Sequence, residues 1–134
     1  MRFRTFMIAA SVMAALTMPF PAQDEAELEK LMKQVGDASG RIRKSTDLNE
    51  TAKDAELISK LLKESSSFWM KHSKDDATKW STEGSSGAKD LAAAAASGNK
   101  EAVAVASKSM GAACQACHKV YRERLPDGTY KLKM

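Results

Sequence analysis

Apolar residues recur every three or four positions through four stretches of this 134-residue chain, which is the spacing of an amphipathic helix. The stretches run from about Asp24 to Lys44, from Asp47 to about His72, from near Asp75 to Ser97 and from Lys100 to about Arg124. Only a few residues separate them, and short loops join antiparallel neighbours. The pattern therefore predicts an all-α protein, an antiparallel up-down-up-down four-helix bundle.

Polar and small residues mark the predicted ends of these helices and one irregular point. Asp24 followed by Glu27 is typical of a capping box at the start of the first helix. In the third helix we expect a kink at Ser85-Ser86-Gly87. A short non-helical tail, residues 125–134, begins with a turn and is expected to run extended over 129–133.

The first 22 residues have the layout of a secretory signal peptide. Arg2 and Arg4 precede a short apolar run over residues 7–16, and a small, Pro-bearing segment follows. The run is too short to span a bilayer, which takes roughly 20 helical residues. We therefore predict that residues 1–22 are removed on export. Residues 23–134 then form one periplasmic domain without a membrane span.

The mature chain has few large side chains with which to build a core. Of its 112 residues only 26 are apolar and larger than alanine. Leu, Ile, Val and Phe together fall below the level of about 20% at which disorder becomes a serious alternative. The high net charge that accompanies disorder is missing, and the formal charge of +4 is too small to indicate a nucleic-acid surface. Something other than side chains is expected to complete the core.

One pentapeptide carries recognisable chemistry. Cys114-Gln115-Ala116-Cys117-His118 matches C-x-x-C-H, the attachment signature of c-type haem. Residues three apart on a helix are rotated by about 300°, so both thiols emerge on one face and can bond the two vinyl groups of a porphyrin. His118 follows on the same side and is the candidate proximal ligand of the iron. The predicted cofactor is one covalently bound haem c.

Three other uses of the two cysteines stay open. A thioredoxin-like dithiol belongs in a βαβ context, whereas this pair lies late in a helical chain. A disulfide between Cys114 and Cys117 leaves His118 without a role. A zinc site needs a fourth ligand, and His72 is the only other histidine in the sequence. His72 falls at the polar end of the second helix, where we expect it to be exposed.

The segment around this motif, GAACQACHKVYR over residues 111–122, resembles the C-terminal haem motif of class II c-type cytochromes, the cytochrome c′ family. The resemblance extends loosely over residues 24–124 through Lys30-Leu31-Met32-Lys33 in the first helix and through the order of four helices. It implies a haem held between the helices, with His118 as proximal ligand and the first helix across the opposite face.

The resemblance also makes Met32 a candidate iron ligand. In low-spin members of the family a methionine of the first helix is the sixth ligand, and Met32 matches its position. In five-coordinate members an apolar side chain blocks that face, and small gases such as NO or CO bind. Many of those members carry an arginine one turn before the distal residue. Leu28 occupies that position here, which favours the low-spin type, although Met32 as distal packing is the alternative.

Two residues after the motif are candidate members of the haem pocket. Tyr121 lies one turn after Cys117, and Arg122 lies one turn after His118. In the family the matching arginine lies near the proximal histidine. A cation that stabilises the helix C-terminus is the alternative for Arg122. The remaining methionines of the mature chain are expected to be core, surface or terminal residues rather than ligands: Met70, Met110 and Met134.

Charge and composition complete the expected function. From Lys119 onward cations exceed anions by three, which favours acidic redox partners, with an ordinary solvated helix end as the alternative. Members of the family often dimerise through their first two helices, so a homodimer is also a candidate. No catalytic pattern stands out, and we expect no enzyme. The sequence thus predicts a periplasmic mono-haem cytochrome that carries single electrons, with NO or CO binding as the alternative.

Overall fold

The computed structural model describes residues 20–134, with side chains from residue 24 onward, and consists of four long helices and a C-terminal hairpin. The elements are α1 (Phe20–Lys44), α2 (Leu48–Lys71), α3 (Asp75–Ala96), α4 (Lys100–Tyr121), β1 (Arg122–Arg124) and β2 (Tyr130–Leu132). The predicted four-helix bundle is confirmed. None of the described helices is both long and apolar enough to cross a bilayer. The predicted signal peptide lies outside the described residues, apart from 20–22 at the start of α1.

Three local predictions were wrong. α1 begins at Phe20, about one turn before Asp24, so Asp24 lies within the helix and does not cap it. α3 is continuous through Ser85-Ser86-Gly87, because these small residues serve close packing between helices and not a kink. α4 ends at Tyr121 and not near Arg124, because the next three residues pair with Tyr130–Leu132 as an antiparallel strand.

Local sequence explains where the helices begin and end. Asp47 and Asn99 cap α2 and α4, each accepting a hydrogen bond from a backbone N–H of the first turn. α2 and α3 both end in a Schellman motif, which requires a residue with left-handed backbone just beyond the helix. At α3 that residue is Gly98, with φ of 73°, whereas at α2 it is Ser73, with φ of 55°. Ser73 therefore adopts a conformation that L-residues with a Cβ disfavour.

The helices pack in chain order around the bundle. α2 lies against both α1 and α3, and α3 lies against α4, while α1 and α4 lack comparable backbone contact along their described lengths. Paired serines fix the register of α2 and α3: Ser65 donates to Ser81 at 3.1 Å in the core, and Ser59 hydrogen-bonds Ser85. Gly87 lets α3 approach α4 closely, since a Cβ there would lie 3.0 Å from the backbone N of Met110.

Buried side chains form two clusters along the bundle. The larger, here called the central cluster, contains Val35, Ala38, Ala55, Ile58, Leu61, Leu62, Ala88, Leu91, Ala92, Ala106 and Met110. The smaller, here called the end cluster, contains Leu28, Phe68, Trp69, Ala77 and Tyr121. The end cluster brings the start of α1 and of α3 together with the end of α2 and of α4. The C-x-x-C-H motif lies where the two clusters meet, because Cys114 packs on the central cluster and Cys117 on the end cluster.

Candidate haem site

The two thiols of the motif lie on the last turns of α4. Cys114 and Cys117 are both half-buried and are not joined by a disulfide. They are three residues apart and so share one face of the helix, as the sequence predicts. This is the arrangement that attachment of two neighbouring porphyrin substituents requires.

Two members of the motif, Cys114 and His118, lie on a flank of α4 that is turned away from the contact with α3. α3 contacts α4 through Gly84 and Gly87, which lie against Ala113 and Met110. At about 100° per residue, Cys114 is turned roughly 100° from Ala113 and His118 roughly 140°, whereas Cys117 is turned only about 40°. In a four-helix bundle the neighbour on this flank is α1, the helix that α4 does not pack against extensively. We therefore infer that Cys114 and His118 border the gap between α1 and α4, here called the slot.

Apolar side chains that line this slot are only partly covered. Met32 of α1 is half-buried and packs against both clusters, and Val103, Cys114 and Cys117 of α4 are half-buried as well. Leu28, one turn before Met32, is buried in the end cluster. A flat apolar group bonded to α4 would contact apolar side chains here, and Met32 of α1 would present its sulfur to that group. The residues present fit a haem.

Burial sets the electrostatics of the two thiols. Desolvation is the main cause that raises the pKa of both thiols. The neighbouring Cys114 and Asp76 raise the pKa of Cys117 further, to about 11. Dithiol oxidoreductases show the opposite, a lowered pKa that produces the reactive thiolate. The environment of Cys114 and Cys117 thus differs from that of a thioredoxin-like site. Residues 24–134 also contain no group of three or more His, Cys, Asp or Glu placed to hold a metal ion.

The imidazole of His118 lies at the surface of α4 next to a cation. Partial burial, and secondly the charge of Arg122, lower the pKa of His118, which favours the neutral ring that binds metals. Nη1 of Arg122 is 3.4 Å from Nδ1 of His118. The predicted neighbours His118 and Arg122 are therefore in contact, at the end of α4 that also carries Tyr121.

Comparison with known proteins bears on the segment that contains α3 and α4. The family model described as Cytochrome C' matches residues 73–122, which comprise α3, α4 and the C-x-x-C-H motif. Over these residues the chain is similar to the cytochrome c′ family. No curated protein and no solved structure gave a significant match. This similarity supports a haem cofactor, and Cys114 and Cys117 are the two cysteines of the sequence.

Tyr121 lies deeper in the bundle than its place next to the motif indicates. Its ring packs against Trp69 with the centroids 4.7 Å apart, and its hydroxyl donates a hydrogen bond to Oδ1 of Asp76 at 2.6 Å. Tyr121 is thus a core residue beside Cys117 that ties α4 to α2 and α3. Asp76 was not among the residues predicted from the sequence. Its position in the first turn of α3, the helix that packs on α4, is the signal that could have indicated it.

His72 corrects a prediction. It is half-buried and not exposed, because its ring packs on Phe68 with the centroids 4.4 Å apart. Its Nε2 is buried without a hydrogen-bond partner, and the nearest carboxylate oxygen, Oδ2 of Asp24, is 3.9 Å away. His72 therefore belongs to the contact between α1 and α2. The sequence around it is polar, but the aromatic residue one turn earlier covers its ring.

Three methionines lie where the sequence predicts. Met110 is buried in the central cluster against α3, Met70 is exposed on α2, and Met134 is exposed at the C-terminus. Trp69 is buried in the end cluster, and Trp80 is half-buried beside it. Met32 is left as the methionine on the slot.

The hairpin contributes two residues that sequence reasoning missed as part of this site. Tyr130 lies over the guanidinium of Arg122, with Cζ 3.5 Å from the ring centroid, and Leu132 packs against the end cluster. The extended stretch 129–133 was predicted, but its pairing with the residues after α4 was not. The family match ends at Arg122, so most of the hairpin lies beyond it.

Proposed function

We propose that this chain is an exported mono-haem c-type cytochrome that carries single electrons, and not an enzyme. Cys114 and Cys117 would hold the haem, while His118 and Met32 would ligate its iron. The observation that carries the proposal is the position of Met32, which packs against both clusters on which the two cysteines pack. Bound haem supplies a one-electron ferrous–ferric couple whose potential depends on the axial ligands and on burial.

The chain's own residues have separate tasks in this proposal. Cys114 and Cys117 fix the position of the haem along α4, and His118 offers a neutral ring nitrogen from the same helix. The end cluster excludes water from the end of the bundle next to the motif, because its large side chains are buried: Leu28, Trp69 and Tyr121. A dry surrounding disfavours the more highly charged ferric form and so raises the reduction potential.

A methionine ligand predicts a low-spin iron, and the ferric spectrum tests it. We expect the weak far-red band that thioether sulfur gives to ferric haem. Met32→Leu keeps the volume of the side chain and removes the sulfur, so this variant should lose the band and become high-spin. Leu31→Ala is the matched control, because Leu31 is half-buried on the same turn of α1 and has no sulfur.

Each outcome of this experiment favours one reading. A band that disappears in Met32→Leu and survives in Leu31→Ala supports the electron carrier. A high-spin spectrum of the unmodified protein contradicts Met32 ligation and favours the five-coordinate alternative, binding of NO or CO. Purified protein without covalent haem contradicts both.

The exposed cations near the hairpin support an acidic redox partner. Lys119, Arg122, Arg124 and Lys133 are exposed, whereas Lys131 pairs with Glu123 at 3.2 Å. Such a patch beside the haem accelerates encounter with an anionic surface, and the effect weakens with salt. Lys119→Glu with Lys133→Glu should slow electron transfer to an acidic partner at low ionic strength, while Lys60→Glu on α2 should not. Periplasmic location and a homodimer through α1 and α2 stay predictions.

A further inference from the structure

A stack of three side chains joins the hairpin to the proposed iron ligand. The Tyr130 ring lies over the guanidinium of Arg122, with Cζ 3.5 Å from the centroid, and Nη1 of the same guanidinium is 3.4 Å from Nδ1 of His118. Arg122 is thus held between an aromatic face and an imidazole. A cation over an aromatic face is attracted by the electron-rich centre of the ring.

The hairpin is anchored so that Tyr130 can hold this position. In its register Arg122 pairs with Leu132, which puts Tyr130 diagonally across from Arg122 on the same face of the ladder. Leu132 packs against the end cluster, and the N–H of Lys133 donates to the carbonyl of Tyr121 at 2.8 Å. The turn is closed through Gly128, whose φ of 85° suits glycine. The strand that carries Tyr130 is therefore fastened to the end of α4.

Iron ligation removes the other contact that holds Arg122. A guanidinium only donates hydrogen bonds, so its contact with Nδ1 requires a lone pair on that nitrogen. When Nε2 is given to a metal, a neutral imidazole carries its proton on Nδ1 and has no lone pair left to offer there. The aromatic face of Tyr130 then becomes the attractive contact that keeps the cation beside the ring.

We propose that Tyr130 is a positioning residue, which holds the Arg122 cation beside the proximal ring of His118 and thereby raises the reduction potential of the haem. The inference rests on the proposed function, because it requires covalent haem with His118 as ligand. The direction follows from charge. A cation fixed beside an iron ligand stabilises the ferrous state, which has the lower positive charge, relative to the ferric state.

The midpoint potential of the holo-protein, measured by equilibrium redox titration, tests the role of Tyr130. Tyr130→Leu keeps a strand-compatible residue and removes the aromatic face, so we expect the potential to fall. Tyr130→Phe keeps the face and should retain the potential of the unmodified protein. In an Arg122→Gln background, Tyr130→Leu should produce no further shift, because the cation through which Tyr130 acts is gone.

The possible results separate this inference from the proposed function. Haem content, measured on each variant, and the far-red ferric band report on attachment and ligation. An unmodified protein without covalent haem overturns the proposed function and this inference together. A haem-loaded Tyr130→Leu variant with unchanged potential overturns the inference alone, as does an equal fall in Tyr130→Phe or a further fall in the Arg122→Gln background.

Discussion

The hydroxyl of Tyr121 donates a hydrogen bond to Oδ1 of Asp76 at 2.6 Å, and this contact joins the end of α4 to the start of α3. The bond is the main cause that lowers the pKa of Asp76, and it also raises the pKa of Tyr121 to about 12. Since Cys117 lies one turn before Tyr121 on α4, the contact also fixes the end of the helix that carries the haem motif.

Tyr121→Phe should lower the melting temperature at pH 7, and the loss should depend on pH. The carboxylate contributes stability above the ordinary pKa of about 3.9, and this contribution is lost as the pH falls through the lowered pKa of folded Asp76. On the alkaline side the raised pKa of Tyr121 keeps the contribution complete below pH 10, and it is lost as the pH approaches about 12. Thermal unfolding of both proteins across this range measures the difference.

A double variant controls this prediction. With Asp76→Asn present, Tyr121→Phe should produce a difference in melting temperature that no longer changes between pH 3 and pH 7. A difference that is the same at every pH in the single variant would show that packing against Trp69, and not the hydrogen bond, dominates at this position.

Gly87→Ala should destabilise the bundle by about 1–3 kcal/mol, the usual cost of overpacking. The added Cβ would lie 3.0 Å from N and 3.1 Å from Cα of Met110, and these backbone atoms cannot move without shifting α4. Gly36→Ala is the matched control. A Cβ at Gly36 meets nothing within 4 Å, so this change should stabilise α1 by about 0.5–1 kcal/mol. Chemical denaturation of both variants measures the change in the free energy of unfolding, which should have opposite signs in the two variants. Equal effects would contradict the close approach of α3 and α4.

Ser73→Gly should stabilise the protein by about 1 kcal/mol. Ser73 has φ of 55° at the end of α2, and left-handed backbone costs residues with a Cβ roughly 1–2 kcal/mol, part of which the greater flexibility of unfolded glycine offsets. Gly98→Ala makes the reverse change at the equivalent position of α3 and should destabilise by a similar amount. Denaturant midpoints are the measurement, and a destabilised Ser73→Gly variant would refute the argument.

Preventing haem attachment should leave the chain poorly folded. The mature sequence has only 26 apolar residues larger than alanine, and the residues that line the slot between α1 and α4 are half-buried. Cys114→Ser with Cys117→Ser removes the thioether positions with little change in volume. We expect weakened helical circular dichroism and a loss of cooperative thermal unfolding. A native-like spectrum with a sharp transition would contradict this prediction.

Helical periodicity predicted the bundle because each long helix buries one stripe of side chains, and that stripe is visible in the sequence. The bounds of α2 and α3 were predicted to within a residue or two, since Asp47 and Gly98 act within one turn of the helix ends. The end of α4 was misjudged because residues 122–124 exchange helical hydrogen bonds for bonds to a strand six or more positions later. A local pattern carries no information about such a partner.

The candidate haem site also has features that follow from local sequence and features that depend on distant parts of the chain. By itself the sequence determined the C-x-x-C-H motif, the helix on which it lies and the common face of its two thiols, because all three follow from spacing along one helix. Only the tertiary structure decided that His72 is covered by Phe68, that Asp76 accepts from Tyr121 and that Tyr130 lies over Arg122. These contacts depend on how helices and hairpin are rotated and shifted against each other. That arrangement is fixed by the packing of the whole bundle, through close approaches such as Gly87 on Met110 and interhelical bonds such as Ser65 to Ser81.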